Sequence, residues 1–227
     1  MNTFSHLKIG RILYESLAED ARGLLSYRAF LWGNISPDFS VRLLTCPHYI
    51  ENYSSFLKEE LAFLFDGGDA ESAFWADTYG EDWPANAFLM PDSDVPNPDL
   101  SVRLGVVCHF LTDFFCFAHT KGFTGTMREH IRYEKELDRY LRNFCAAQFH
   151  SCRPGTDPVL KSASAALENL EQLQDAFLSQ PHTFETDARY SLHACTSTVS
   201  AVAACILAKK QFFHPHYGHS FAGLSMH

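Results

Sequence analysis

The sequence predicts an all-α fold, built as a single-domain bundle of helices. Apolar residues recur with helical periodicity along most of the chain, and no segment alternates apolar and polar residues as a strand does. The chain has 227 residues, of which 46% are hydrophobic and 20 are Phe. This composition is enough for one large aromatic core, so we expect residues 1–227 to form one domain.

Taken in order, the apolar pattern places a helix wherever about three or more turns keep one face apolar. The predicted helices cover residues 9–30, 48–65, 99–119, 124–149, 159–179 and 184–213, with a short additional helix over 70–78. Gly67 and Gly68 provide the stop signal for the second helix. Thr183 or Thr186 is expected to cap the last helix.

Two segments are expected to lack helix. Residues 80–99 contain four Pro and several Asp, which predicts an irregular loop because Pro removes backbone hydrogen-bond donors. Residues 214–227 are expected to form a surface tail. The most apolar stretch, Val199–Ala208, is shorter than the roughly 20 residues that a membrane span needs.

Charge and cysteine usage limit the classes of partner and compartment. The net charge is −9, and we find neither a Lys/Arg cluster nor a basic amphipathic helix. Polynucleotide binding by bulk charge is therefore not expected, and no helix predicts membrane docking. The seven Cys form no CxxC pair, and the N-terminal residues lack the features of a signal peptide. These features favour a cytoplasmic protein.

Two polar residues stand inside the most apolar predicted helix. His109 and Asp113 lie four residues apart between Val, Phe and Leu residues, so they share one helix face. A buried carboxylate without a partner costs several kcal/mol. A cation held by both side chains would compensate that charge, although an ordinary hydrogen bond between them is the simpler interpretation of one such pair.

The same spacing occurs again in the next predicted helix, where His130 and Glu134 are also four residues apart. His119 lies between the two pairs. His119 follows His109 by ten residues, so on a continuous helix its side chain would point roughly 80° away from that of His109 around the helix axis. We therefore expect His119 to serve a different ion from His109. Imidazole and carboxylate are the usual zinc ligands outside thiolate sites, so the combination predicts a metal centre.

Three more residues of ligand type lie upstream. In chain order the complete set is His6, Asp38, His48, His109, Asp113, His119, His130 and Glu134. In this order and spacing, over roughly residues 1–150, the sequence resembles the prokaryotic zinc-dependent phospholipases C. That family shares a helical fold with the single-strand-specific zinc nucleases.

The resemblance implies how the ligands divide among ions. One zinc ion would be bound by Asp38, His48, His109 and Asp113, and a second by His119, His130 and Glu134. A third would be held by His6 and by Asp113 as a bridging ligand. Secreted members complete that third site with an N-terminal Trp, and here the chain starts with Met1. We therefore expect two zinc ions and an incomplete third site.

The resemblance also bears on the substrate. Members that cleave phosphatidylcholine have a Tyr after the Asp equivalent to Asp38 and a Phe three residues before the His equivalent to His48. Here these positions hold Phe39 and Thr45. Phe39 still offers a face for a cationic headgroup, but the pair of residues does not support choline.

The expected activity is phosphoester hydrolysis, in which a metal-activated water attacks phosphorus. Asp38 is the candidate general base. The expected substrate is a small-molecule or lipid phosphoester. Two alternatives remain at this stage: a nuclease or nucleotidase on the same scaffold, and a helical protein in which the metal is structural and no reaction occurs.

Overall fold

The structure is a computed structural model that describes residues 1–40, 48–66, 98–145, 147–148 and 160–213. Within these ranges all regular elements are helical, which confirms the predicted all-α class. The helices are α1 (Thr3–Ser16), α2 (Glu19–Arg22), α3 (Tyr27–Ile35), α4 (Ile50–Asp66), α5 (Pro98–Phe114), α6 (Met127–Arg142), α7 (Ala163–Leu178) and α8 (Phe184–Phe213). Two 3₁₀ turns, Ser36–Phe39 and Phe117–His119, follow α3 and α5.

Helix α5 is the centre of the bundle. It packs against α1, α3, α4 and α8, and its side chains from Ser101 to Phe114 are buried on every side. Phe110 and Phe114 are among the largest fully buried side chains, so they are core residues rather than walls of a substrate site. A helix surrounded by others is apolar all round, as its sequence indicated.

Helices α3 and α5 approach each other through two glycines. A Cβ atom on Gly33 would lie 2.2 Å from the carbonyl oxygen of Val102, and one on Gly105 would lie 2.4 Å from that of Phe30. Both distances are far shorter than van der Waals contact, and both clashes are with backbone. Only glycine permits this approach, which brings the C-terminal end of α3 against the middle of α5.

The N-terminal segment differs from the prediction, because residues 9–30 form parts of three helices rather than one. Helix α1 ends at Ser16, and Leu17 is extended. Ser26 caps α3 by accepting a hydrogen bond from the Ala29 amide, and its own amide donates to Ser101 Oγ at 2.8 Å. The cap at the buried Ser26 therefore starts a separate helix, although the apolar periodicity predicts one continuous helix here.

The predicted helix over 99–119 is also interrupted. Helix α5 starts at Pro98 and ends at Phe114, Cys116 is extended, and His119 lies in the following 3₁₀ turn. The expectation that His119 continues the helix of His109 is therefore wrong. No Gly or Pro marks the end of α5 in the sequence, so the usual stop signal is missing.

The remaining helices lie where they were predicted, and α6 and α7 are shorter than predicted at both ends. Thr126 starts α6 with a capping box that includes Glu129, Ser162 caps α7, and the Thr186 amide donates to Thr183 Oγ1 at the start of α8. The predicted short helix at 70–78, most of the loop at 80–99 and the tail at 214–227 lie outside the described residues.

Helix α8 has the bounds that the sequence predicted, Phe184–Phe213. Phe184–Lys209 is long and apolar enough to cross a membrane by length and composition, but 67% of its most apolar window is buried inside the protein. A central core helix satisfies the same criteria. Three described cysteines, Cys108, Cys116 and Cys195, are buried and free.

Helix α6 corrects the expectation that the chain has no basic amphipathic helix. It contains five of the chain's 18 Lys and Arg residues. They are Arg128, Arg132, Lys135, Arg139 and Arg142, and all five are exposed. This face is not evident in the linear sequence, because acidic residues alternate with the basic ones along the chain. In the helix, the basic and acidic side chains lie at different angles around the axis.

Candidate metal centre

The structure brings all eight predicted ligand residues together at one end of α5. They come from six elements: His6 from α1, Asp38 from the first 3₁₀ turn, His48 from just before α4, His109 and Asp113 from α5, His119 from the second 3₁₀ turn, and His130 and Glu134 from α6. Six of the eight form two adjoining groups, which we call the deep cluster (His6, His109 and Asp113) and the outer cluster (His119, His130 and Glu134).

The deep cluster is completely removed from solvent, since His6, His109 and Asp113 have no exposed area. The Asp113 carboxylate lies 3.3 Å from His6 Nε2 and 3.5 Å from His109 Nε2. The rings of His6 and His109 stack with centroids 3.9 Å apart. Two imidazoles and one carboxylate thus face a common point from two helices.

His109 is held in one orientation by the end of α3. Its Nδ1–H donates a hydrogen bond to the carbonyl oxygen of Asn34 at 3.0 Å. This bond fixes the tautomer and leaves the Nε2 lone pair directed at Asp113. The Asn34 carbonyl reaches His109 because the two glycines let α3 lie against α5. Burial, followed by the nearby His6, lowers the pKa of His109 well below its ordinary value, so the ring is neutral and able to bind a metal.

His6 provides a test of whether a metal ion fits. Both of its ring nitrogens are buried, and neither has a hydrogen-bond partner, although Nε2 is close to Asp113. A buried imidazole without a hydrogen bond is costly in a folded protein. A cation between His6 and Asp113 would satisfy that nitrogen, so the residues fit the metal.

His48 and Asp38 border the buried deep cluster, and both side chains are partly exposed, so we call this its open side. His48 Nδ1 lies 2.7 Å from Asp113 Oδ2 and 3.2 Å from His109 Nε2. Asp38 is more distant, with its Oδ1 4.0 Å from His109 Nε2, and 18% of its side chain is exposed. Its other oxygen accepts a hydrogen bond from Thr3 Oγ1 at 2.7 Å. Asp38 is therefore oriented by α1 and reaches solvent.

The outer cluster lies between the second 3₁₀ turn and α6. Glu134 Oε1 is 3.0 Å from His119 Nε2 and 3.1 Å from His130 Nε2. The three side chains are 10%, 22% and 15% exposed for His119, His130 and Glu134. His119 Nε2 is also 3.7 Å from Asp113 Oδ1, so the two clusters meet at Asp113.

The carboxylates of both clusters are ionised. Burial opposes ionisation of Asp113, but His119, the Met1 amino group and His6 together hold its pKa well below the usual range. Burial likewise opposes ionisation of Glu134, and hydrogen bonds with His119 and His130 outweigh it, so its pKa is also lowered. Asp113 and Glu134 therefore supply anionic oxygens, and burial lowers the pKa of His109 and His119, so these two rings are neutral, which is the state that binds zinc.

A positively charged group already lies between the clusters. The Met1 amino nitrogen contacts Asp113 Oδ1 and lies 2.8 Å from His119 Nε2 and 3.5 Å from Glu134 Oε1. These three side chains from different elements surround a single cationic atom. Their arrangement shows that the space between the clusters accommodates a cation.

Asp187 on α8 supports the outer cluster and was not identified from the sequence. Its Oδ2 accepts hydrogen bonds from the Phe117 amide at 3.1 Å and from the Tyr133 hydroxyl at 2.8 Å. One carboxylate therefore ties the turn that carries His119 to the helix that carries Glu134. Burial raises the pKa of Asp187 to about 7, and it raises that of Tyr133 as well.

Phe39, the predicted substrate contact, lies beside Asp38 and is 61% exposed. Its ring stacks on Trp32 with centroids 6.1 Å apart and an angle of 8° between the planes. The partner position, Thr45, lies outside the described residues. One exposed aromatic ring is therefore present in the residue that follows Asp38.

A match to a known family identifies the family of the chain. A family model described as zinc-dependent phospholipase C matches residues 5–184. The chain belongs to this family. The match covers α1 to α7 and includes all eight candidate ligands of the phospholipase C centre. No curated protein and no solved structure is significantly similar to the chain. Asp187 lies just beyond the range that matches the phospholipase C model.

Proposed function

We propose that the chain is a phosphoester hydrolase of phospholipase C type that cleaves a phosphodiester with water. One observation carries the proposal: the buried Asp113 carboxylate lies close to the ring nitrogens of four histidines. The distances are 2.7 Å to His48, 3.3 Å to His6, 3.5 Å to His109 and 3.7 Å to His119. A lone carboxylate among four imidazoles is the arrangement expected of a bridging metal ligand.

In this proposal the metal centre holds two zinc ions, one beside His109 and Asp113 of the deep cluster and one at the outer cluster. His48, His109, Asp113 and Asp38 would bind one ion, and His119, His130 and Glu134 the other, with Asp113 shared between neighbouring sites. His6 would take part in a third site. Zinc in such a centre supplies neutralisation of phosphoryl oxygens and a lowered pKa for water.

Asp38 is the proposed general base. It lies at the open side of the deep cluster, it reaches solvent, and Thr3 fixes its orientation. During hydrolysis the water oxygen forms a bond to phosphorus and the bond from phosphorus to the leaving alkoxide breaks. Asp38 takes one proton from the water, and the alkoxide takes a proton from solvent.

The proposed substrate is a small-molecule or lipid phosphoester rather than a polynucleotide, because the chain is acidic overall. The exposed ring of Phe39 is the proposed wall for the leaving group. The cytoplasm is the proposed compartment, since the described cysteines are free thiols.

The experiment that tests the proposal combines metal analysis with an ester panel. Zinc is counted in protein reconstituted with zinc, and hydrolysis is assayed on phosphodiesters with choline, ethanolamine, inositol and nucleotide groups. We expect two zinc ions and turnover of at least one ester. Full zinc content without turnover of any ester would instead favour a structural metal centre.

Asp38→Asn separates the general base from a ligand. We expect turnover to fall by about 100-fold or more while the zinc content changes little. His48→Ala is the comparison variant, since it removes a proposed ligand and should lower both. Loss of zinc from Asp38→Asn with an equal loss of turnover would show that Asp38 acts only as a ligand and would reject it as the base.

A further inference from the structure

The outer face of α6 carries a compact row of positive charge. The basic stripe consists of Arg128, Arg132, Lys135 and Arg139, all exposed to solvent. At 100° per residue these four positions fall within about 60° of arc around the helix. His130 and Glu134 lie on the opposite side of the same helix. One helix therefore presents the metal centre inward and the stripe outward.

The charge of the stripe is only partly compensated within the described part of the chain. None of the four basic side chains forms an ion pair there, whereas Arg142 at the end of α6 pairs with Asp138 at 2.6 Å. Glu129 caps the helix with Thr126 and interacts electrostatically with Arg132, and Glu134 belongs to the outer cluster. Glu136 is the remaining acid beside the stripe. This local excess contrasts with a net charge of −9.

Two apolar side chains border the stripe. Met127 is 73% exposed and Ile131 is 45% exposed, which makes them two of the most exposed large apolar residues described. They lie one helical turn apart, between the stripe and the side that carries His130. Basic and apolar residues adjacent on one helix are the pattern of a surface that lies at a lipid interface.

The aromatic residues of α6 argue against a nucleic acid as the occupant. Tyr133 and Tyr140 are half-buried and pack on Phe184, with ring centroids 5.0 Å and 6.3 Å apart. Exposed aromatic rings on which bases stack are the usual partners of basic residues in single-strand binding. The outer face of α6 has none.

We propose that the basic stripe docks α6 on the surface of an anionic membrane. Lys and Arg side chains close to anionic headgroups bind through charge, and Met127 and Ile131 enter the interface beside them. Because a helix is about 10 Å across, the metal centre on the other side of α6 stays within about one helix diameter of the headgroups. The proposal concerns binding alone and does not depend on hydrolysis.

Vesicle sedimentation of the full chain tests the proposal. The vesicles contain phosphatidylcholine alone or phosphatidylcholine with about 30% phosphatidylserine, and the salt is varied from about 0.1 M to about 0.5 M. We expect binding to the anionic vesicles only, with weaker binding at higher salt. Equal binding to both kinds of vesicle, or to neither, would overturn the proposal.

Matched variants locate the surface. The stripe variant combines Arg128→Gln, Arg132→Gln, Lys135→Gln and Arg139→Gln. The control variant combines Arg11→Gln, Arg22→Gln, Lys58→Gln and Lys161→Gln, which removes the same number of charges elsewhere. Gln has a high helix propensity, so α6 should still form, and circular dichroism verifies this. We expect the stripe variant to lose about tenfold or more in vesicle affinity and the control to change by less than about twofold.

A double variant tests the two apolar residues beside the stripe. Met127→Ser with Ile131→Ser is expected to weaken binding by about threefold to tenfold, because the buried apolar area is small. Equal losses of vesicle affinity in the stripe and control variants would reject the stripe as the docking surface. Binding of the chain to RNA without binding to vesicles would reject it as well. Binding is measured without turnover, so a chain that hydrolyses soluble esters but ignores vesicles would disprove only the docking.

Discussion

The deep and outer clusters contain the same kinds of ligand but are built in different ways. The deep cluster lies on helices in the middle of the bundle, without solvent, and α3 fixes His109 through a backbone carbonyl. The outer cluster is partly exposed and depends on a short turn and the surface helix α6, which Asp187 joins. The deep cluster thus owes its geometry to packing, and the outer one to a few hydrogen bonds.

The first test of this difference is removal of the charge that both clusters share. Asp113→Asn is expected to lower bound zinc by more than one equivalent and to reduce turnover at least about 100-fold, because Asp113 faces histidines of both groups. Glu134→Gln, the comparison variant, should lose only the outer ion. Zinc per protein after dialysis measures both. A loss of one ion from Asp113→Asn would show that the residue does not bridge.

The packing that holds the deep cluster can be disturbed without altering a ligand. Gly105→Ala places a Cβ 2.4 Å from the Phe30 carbonyl oxygen, so α3 and α5 must separate. We expect a loss of about 1–3 kcal/mol in the free energy of unfolding, measured by urea denaturation, and weaker zinc binding at the deep cluster.

The control for the packing variant is Gly23→Ala at the end of α2, where the added Cβ would lie 3.4 Å from the Glu19 carbonyl oxygen, an ordinary contact. Its backbone φ of −63° suits Ala. We expect almost no change in stability there. If both variants had the same stability as the parent, the close approach of α3 and α5 would not be tight.

The smallest effect is expected at the outer cluster. Asp187→Asn weakens the link between Phe117 and Tyr133, so the turn carrying His119 and the helix carrying Glu134 are less firmly joined. We expect zinc affinity at the outer cluster to fall by about tenfold, and that at the deep cluster to be unchanged. Competition with a chelator measures both affinities. Asp175→Asn, on the exposed side of α7, is the control, and equal losses in the two clusters would contradict a local role for Asp187.

The sequence predicted the features that repeat locally. His109 with Asp113 and His130 with Glu134 were identified by their four-residue spacing, and the structure places them together. Their role as zinc ligands remains a prediction. The helical class followed from periodicity for a similar reason, because each turn of helix contributes the same signal.

Features that depend on distant contacts were not predicted. The end of α5 at Phe114 has no Gly or Pro to mark it, and Asp187 acts on residues at least 54 positions away in the chain. The basic stripe was hidden because its charges alternate with Glu along the sequence. In the first two cases the information lies in how elements pack, which local sequence does not contain, whereas the stripe follows from the helical geometry of α6.

The position of Asp187 has a practical consequence for shortened versions of this protein. The region that matches the family model ends at residue 184 and contains all eight candidate ligands. A fragment that ends there would contain every candidate ligand. It would nevertheless lack nearly all of α8, including the Asp187 carboxylate that supports the outer cluster and the α8 side chains that pack around α5. The boundary suggested by sequence similarity is therefore not the boundary of the folding unit.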